Sequence, residues 1–239
     1  MSESGAAARP GWLLDETASA GRENLDVGHV SRYDAKEDAG AAEEVRLCQT
    51  LGLGNGSTVV DLGAGTGQFA IAVASACAKV IAVDVSPVML SRLQAKVSAA
   101  GLTNIELVRA GFLSYEHEGK PADLIYSRYA LHHLPGFWKA LALRRMRRML
   151  GDGGVLRLWD VVYSFELDEA EERLEAWCAS GGLDAARGWS RTELEEHVRE
   201  EHSTFSWLLE PAIERAGFQI EQADYSEDRI FARYVLRGA

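Results

Sequence analysis

Asp61 stands just ahead of three alternating glycines, Gly63, Gly65 and Gly67, in the stretch Val59-Val60-Asp61-Leu62-Gly63-Ala64-Gly65-Thr66-Gly67. Glycines let a chain turn sharply and bring its backbone close to a ligand. A carboxylate fixed beside them repels phosphate and welcomes an ammonium group. The GxGxxG pattern of dinucleotide sites fails here, because position 68 is Gln. A second acid, Asp84, lies near the end of the next apolar run, 79–85 (KVIAVDV). A carboxylate at such a position can accept both hydroxyls of a ribose. Further on, Tyr129-Ala130-Leu131-His132-His133-Leu134 carries two adjacent imidazoles, which titrate near neutral pH and suit proton transfer. The combination points to a nucleoside ligand that bears positive charge and lacks phosphate.

Such residues act together only if secondary structure brings them to one place. Residues 58–62 (TVVDL) form a short β-branched run, as expected of a buried parallel strand. An apolar helix over 68–78 follows, so the glycine loop joins a strand to a helix, where open α/β sheets bind ligands and free N–H donors gather. A second strand over 79–85 leads to Ser86-Pro87, a cap residue followed by Pro at the first helical position. That helix runs to residue 100 and Gly101 closes it. Strands are predicted at 105–109, 122–127 and 155–162, with a helix over 135–150 stopped by Gly151-Asp152-Gly153-Gly154. Another helix precedes them all, over 37–51. This alternation predicts a doubly wound parallel sheet with crossover helices on both faces. Acidic helices at 167–180 and 191–201 and a helix at 203–216 follow, and then strands at 218–225 and 229–237 that read as an antiparallel hairpin.

S-adenosylmethionine carries an amino group, a sulfonium and a ribose but no phosphate, so the charge at Asp61 favours it over NAD. Residues 59–70 (VVDLGAGTGQFA), Val83-Asp84 and 123–134 (DLIYSRYALHHL) resemble the successive motifs of class I S-adenosylmethionine-dependent methyltransferases. Within that superfamily the chain is similar to small bacterial enzymes with a Type 11 or Type 25 methyltransferase domain, well over about residues 45–162 and loosely over the closing hairpin. The resemblance implies a Rossmann-like α/β fold with a mostly parallel seven-stranded sheet, a C-terminal antiparallel hairpin and a small helical cap. It implies S-adenosylmethionine as cofactor and S-adenosylhomocysteine as product. Gly63, Ala64, Gly65 and Gly67 would line the methionine part, Asp61 would face its amino group, Asp84 would hold the ribose, and Val85 and Met89 would flank the adenine. The third strand of the resembled enzymes often ends in an Asp that meets the adenine amine; Gly111 stands there, leaving backbone near Gly111 and Phe112. Ser127 and Arg128 fall beside the methionine end.

Methyl transfer is a displacement that needs proximity and orientation, and a base where the acceptor must lose a proton. His132 and His133 are the candidates for that base, with Tyr33 as a lid residue over the cofactor. Tyr129, Trp159, Tyr163 and Trp207 are candidates to line the acceptor site. No metal is expected. The parts are expected to be a disordered tail over 1–11, a helical segment or lid over 12–52, the cofactor domain over 53–163 and 205–239, and a cap over 164–204. The net charge of −11 disfavours a nucleic-acid partner, and the arginines at 144, 145, 147 and 148 read as one solvated helix face. The apolar runs fall short of the ~20 residues that span a membrane. The scattered Cys48, Cys77 and Cys178 and the absence of a signal sequence suit the cytoplasm. A small-molecule acceptor and a monomer or homodimer are expected; an RNA or protein methyltransferase and a non-catalytic cofactor-binding partner subunit are the alternatives.

Overall fold

The computed structural model describes residues 10–21, 24, 28, 30, 40–182 and 188–239. Tyr33, most of the tail and most of residues 25–35 lie outside the described residues. Helix α1 (Ala41–Thr50) precedes β1 (Thr58–Leu62). The chain then runs through α2 (Gln68–Val73), β2 (Lys79–Asp84), α3 (Pro87–Ala99), β3 (Ile105–Arg109) and β4 (Ala122–Arg128). Next come α4 (Gly136–Met149), β5 (Leu150–Tyr163), α5 (Ala170–Ala179) and α6 (Arg191–Glu200). The chain closes with β6 (Thr204–Phe205), α7 (Ser206–Arg215), β7 (Phe218–Tyr225) and β8 (Phe231–Gly238).

The sheet runs in the order β3-β2-β1-β4-β5-β8-β7, with β6 paired to the end of β5 off that path. The first five strands are parallel, and β8 runs antiparallel to both of its neighbours, β5 and β7. Successive β1 residues face opposite layers, as the two-residue period of a strand requires. Val60 and Leu62 pack into a core with α4 and α7 residues such as Leu143, Met146 and Ile213. Val59 packs on the other side with Cys48, Phe69, Val73 and Leu93 of α1, α2 and α3. Both faces are thus covered, which explains why β1 is buried at every position.

Three elements differ from the sequence expectation. The helix after the glycine loop is only six residues long and passes into a 3₁₀ turn over Ala74–Ala76. The fourth helix ends just before the Gly-rich segment, as expected, but that segment is drawn into a longer β5. Its pairing with β4 is irregular, jumping from Ala122–Leu150 to Leu124–Val155, which leaves Gly151–Gly154 out of the ladder. The helix expected over 203–216 starts later, because Thr204 and Phe205 first pair with Val162 and Tyr163. The basic cluster also differs: Arg144 and Arg147 donate to the Ala216 and Gly217 carbonyls, and Arg145 to the Tyr115 carbonyl and Glu116. Those carbonyls lie just beyond the last turn of α7 and in the loop after β3, so three arginines tie α4 to its neighbours.

Across the other face, Arg157 of β5 and Glu44 of α1 form a buried two-pronged pair at 2.8 and 2.9 Å. A smaller apolar cluster gathers Val161, Tyr163, Phe165 and Ile230 with Leu174 and Trp177 of α5 and Phe205. It anchors α5 beside the C-terminal end of β5. Among the described residues no helix is long and apolar enough to cross a membrane.

Candidate cofactor and methyl-transfer site

The carboxyl ends of β1, β2, β3 and β4 open onto two adjoining clefts. The larger holds about 590 Å³ including its open mouth and is lined by Glu16, Ala20, Asn24, Gly63, Gly65, Asp84, Val85, Met89, Ala110, Gly111, Phe112, Tyr129, Ala130, His133 and Leu134. The second is lined by Asp61, Gly63, Ala64, Gly65, Thr66, Gln68, Phe69, Tyr126, Arg128 and Tyr129. Gly63, Gly65 and Tyr129 belong to both, so the clefts meet over the glycine loop.

The loop is shaped by contacts on one side and space on the other. A Cβ on Gly63 would lie 2.3 Å from the Ala130 Cβ, and the residue has φ +76°. Gly65 has φ +54° with nothing within 4 Å of a Cβ, so its bare backbone faces the clefts. Asp84 closes the loop from β2: one carboxylate oxygen accepts from Gly65 N–H at 2.8 Å and the other from Ser86 N–H at 2.8 Å. Both oxygens keep lone pairs for a ligand. Burial raises the Asp84 carboxyl above its ordinary range. Burial, and then repulsion from Asp84, push Asp61 up to about 8.

At the junction Tyr129 has φ +49°, a backbone state unusual for a residue with a side chain. Its N–H donates to the Trp159 carbonyl at 2.9 Å, and its ring meets Trp159 edge-on. The Arg128 guanidinium lies over the Trp159 ring at 4.2 Å and the Tyr129 ring at 4.7 Å, while Arg233 lies over Trp159 at 3.8 Å. Stacking of this kind holds a guanidinium in place. Arg128 is thereby set in the cleft that holds Asp61.

The two histidines part company. His132 is buried and lines neither cleft. Its Nδ1 lies 2.5 Å from Asp160 of β5, and its Nε2 lies 2.7 Å from Glu201, just past α6. Burial opposes a charge on the ring, but the two carboxylates outweigh it and push His132 up to about 10. His132 is therefore an imidazolium near neutral pH and cannot accept a proton. Glu201, in spite of its burial, is held well below the usual carboxylate range by His132 and His197. His133 lines the larger cleft. Burial and the neighbouring His132 cation push it down to about 3, so its ring is neutral. The Asn24 amide donates to the Ala20 carbonyl at 2.7 Å and lies 3.3 Å from His133 Nε2. That carbonyl fixes the Asn24 nitrogen as donor, so His133 Nε2 accepts and its proton sits on Nδ1.

The same loop is clamped to the segment after α6. His202 N–H donates to the His132 carbonyl at 3.0 Å, and the buried Lys139 ammonium bridges the Leu134 and His202 carbonyls. Burial lowers Lys139 to about 8.

The methyltransferase domain family matches residues 59–154. An uncharacterized methyltransferase, YrrT of Bacillus subtilis, is 27% identical over 167 residues, covering 70% of this chain and 71% of YrrT. Among solved structures, a putative methyltransferase of Haloferax volcanii in complex with the Trm112 methyltransferase activator superposes with a TM-score of 0.67 at 14% identity, over 91% of this chain and 97% of that one. An S-adenosylmethionine-dependent methyltransferase of Clostridium acetobutylicum gives 0.65 at 13% identity, over 87% and 94%. The chain thus carries a methyltransferase-domain match over residues 59–154 and shares the fold of solved S-adenosylmethionine-dependent methyltransferases. The matched span runs from β1 to the glycine-rich start of β5, so it contains Asp61, the glycine loop, Asp84 and both histidines.

The two clefts bring together Asp61, Gly63, Ala64, Gly65, Asp84, Val85, Met89, Gly111, Phe112, Arg128, Tyr129 and His133. Others stand apart from the lining. Gly67 caps α2 and packs on Leu93; Ser127 is wholly buried in β4. Trp159 reaches the site through its contacts with Tyr129 and Arg128. Tyr163 lies in the apolar cluster under α5, and Trp207 is half exposed and stacked on Phe205. Sequence reasoning missed Glu16, Asn24, Asp160 and Glu201. None lies in a recognisable motif, and only the tertiary fold carries them to the glycine loop or the histidines.

Proposed function

We propose that this chain binds S-adenosylmethionine across the two clefts and transfers its methyl group to a small-molecule acceptor. The carrying observation is the arrangement of polar groups along the clefts. Asp61 and Arg128 share one compartment, so the amino-acid end meets a carboxyl that its ammonium would ionise and a guanidinium for its carboxylate. Asp84 follows at β2 with two oxygens fixed by backbone N–H groups, as a ribose diol requires. Gly65 offers the open floor between them. Val85, Met89 and Phe112 supply the apolar walls that an adenine ring fills.

When bound, S-adenosylmethionine supplies a sulfonium methyl group that the acceptor atom displaces directly. The chain's own residues contribute position and exclusion of water. Tyr129, Trp159 and the stacked Arg128 frame the junction of the clefts. His133 borders it as a neutral imidazole, a hydrogen-bonding wall and a weak base. That favours acceptors needing little deprotonation. The N-terminal segment (Glu16, Ala20, Asn24) and the clamp after α6 crowd the site from two sides, and the acidic net charge opposes polyanions. Both features support a small acceptor. The three buried free thiols fit a reducing, cytoplasmic setting.

Calorimetric titration with S-adenosylmethionine, S-adenosylhomocysteine and NAD tests the cofactor, using the wild type and Asp84→Ala. Saturable binding of the first two, weakened roughly tenfold or more in the variant, is expected. Binding of NAD alone, or of nothing, overturns the reading. Transfer of labelled methyl into a metabolite panel tests the acceptor; label entering only RNA or protein would reassign it.

A further inference from the structure

Glu16 places a carboxylate where the third strand leaves a gap. It belongs to a turn held by Asp15, whose Oδ1 accepts from Thr17 and Ala18 N–H at 3.0 and 3.2 Å. Leu13 and Leu14 pack on the main core just before it, and Ala20 is buried just after it. The Glu16 side chain crosses to the end of β3, where Oε1 accepts from Leu113 N–H at 2.9 Å. It is only 7% exposed, and among the described residues its Oε2 is buried with no hydrogen-bond partner.

A buried acceptor without a donor is costly unless something supplies one. A ligand in the larger cleft can supply one, because Glu16 lines it together with Val85, Met89, Gly111 and Phe112. Gly111 makes room for it. A Cβ at that position would lie 2.4 Å from Glu16 Oε1 and 2.8 Å from Oε2. A side chain on residue 111 and Glu16 in its present place exclude each other. The Glu16 carboxylate thus fills the volume that a short acid on residue 111 would occupy, delivered from a different part of the chain.

We propose that Glu16 is the adenine-recognition residue, its Oε2 accepting a hydrogen bond from the exocyclic 6-amino group. This rests on the reading that the clefts bind S-adenosylmethionine. With the amino-acid end over β1 and β4 and the ribose at Asp84 on β2, the base extends toward β3, where Glu16 and Gly111 meet between apolar walls. An ionised carboxylate only accepts hydrogen bonds. It therefore selects a 6-amino base and rejects a 6-oxo base, whose oxygen would oppose it.

The test is calorimetric titration of the full chain with S-adenosylhomocysteine and with its 6-oxo counterpart, S-inosylhomocysteine. The wild type is expected to prefer the amino form by about a hundredfold or more. Glu16→Gln keeps an acceptor for Leu113 N–H and adds a donor, so the preference should fall at least about tenfold, even if overall affinity changes little. Glu16→Ala should weaken S-adenosylhomocysteine binding, and Gly111→Asp in that background should restore both affinity and preference. Wild-type binding of S-adenosylhomocysteine with a preference unchanged in Glu16→Gln overturns this assignment while leaving the cofactor reading intact. Failure of the wild type to bind S-adenosylhomocysteine removes the cofactor reading and this assignment with it.

Discussion

Asp61 shows how one side chain can be both buried and ready for a ligand. Its carboxyl sits at about 8 because burial and Asp84 disfavour its charge. The ammonium of a bound amino-acid group favours the ionised form. Binding of S-adenosylhomocysteine near pH 7 is therefore expected to release a proton, and affinity should rise as pH increases from 6 toward 8. Calorimetry in buffers of different ionisation enthalpy measures that release, and Asp61→Asn should abolish it; an equal release from the variant would disprove the assignment. Gly63 makes a different demand. Gly63→Ala combines a 2.3 Å overlap with Ala130 and a φ of +76°, so a loss of about 2 kcal/mol or more is expected. Urea unfolding would detect it as a lower midpoint at unchanged slope.

At the scale of elements, two polar clamps fix helices that the apolar layers alone would leave free to slide. The first is the buried Glu44–Arg157 pair between α1 and β5. Removing one partner strands the other charge, and Glu44→Ala is expected to cost about 3–5 kcal/mol. Glu44→Met with Arg157→Met should recover much of that loss, since the desolvation disappears with both charges. A double variant no more stable than the single one would show that the pair contributes more than mutual compensation. The second clamp joins Asp160 of β5, His132 after β4 and Glu201 after α6. The raised His132 pKa stabilises the fold fully below the unfolded value of about 6.5. That contribution is lost as pH rises through about 10. His132→Asn should therefore lower the Tm most near pH 6, by about 5 °C or more, with the gap to wild type closing on the alkaline side. A gap constant with pH would mean that the ring acts by packing alone.

Across the whole molecule, the sheet gathers polar groups at one end and seals its thiols away. Burial, and then Glu44, push Cys48 up to about 12, and burial raises Cys77 and Cys178 as well. All three cysteines are buried. Native protein at pH 8 is expected to react with a thiol reagent over hours, whereas denatured protein reacts at once with three equivalents. Rapid labelling of one site in the native state would expose a local opening near that cysteine.

The alternating short apolar runs dictated the doubly wound sheet, because only a strand covered on both faces tolerates a stretch such as 58–62. The glycine spacing with Asp61 and Asp84 marked the candidate cofactor site, since those residues act through backbone and position at the ends of two neighbouring strands. Local signals misplaced the ends of the helices and strands where tertiary pairing intervened, as when Thr204 and Phe205 joined β5 instead of starting α7. What no local pattern encodes is which distant side chains arrive. His132 and His133 are neighbours in sequence, yet Asp160 and Glu201 make one a cation in the interior while the other stays neutral on the cleft. Glu16 and Gly111 carry no shared motif, and only the folded chain sets a carboxylate against the missing side chain. Pattern reports residues that share an element; burial and charge depend on what the rest of the chain packs against them, and that is decided only by the tertiary fold.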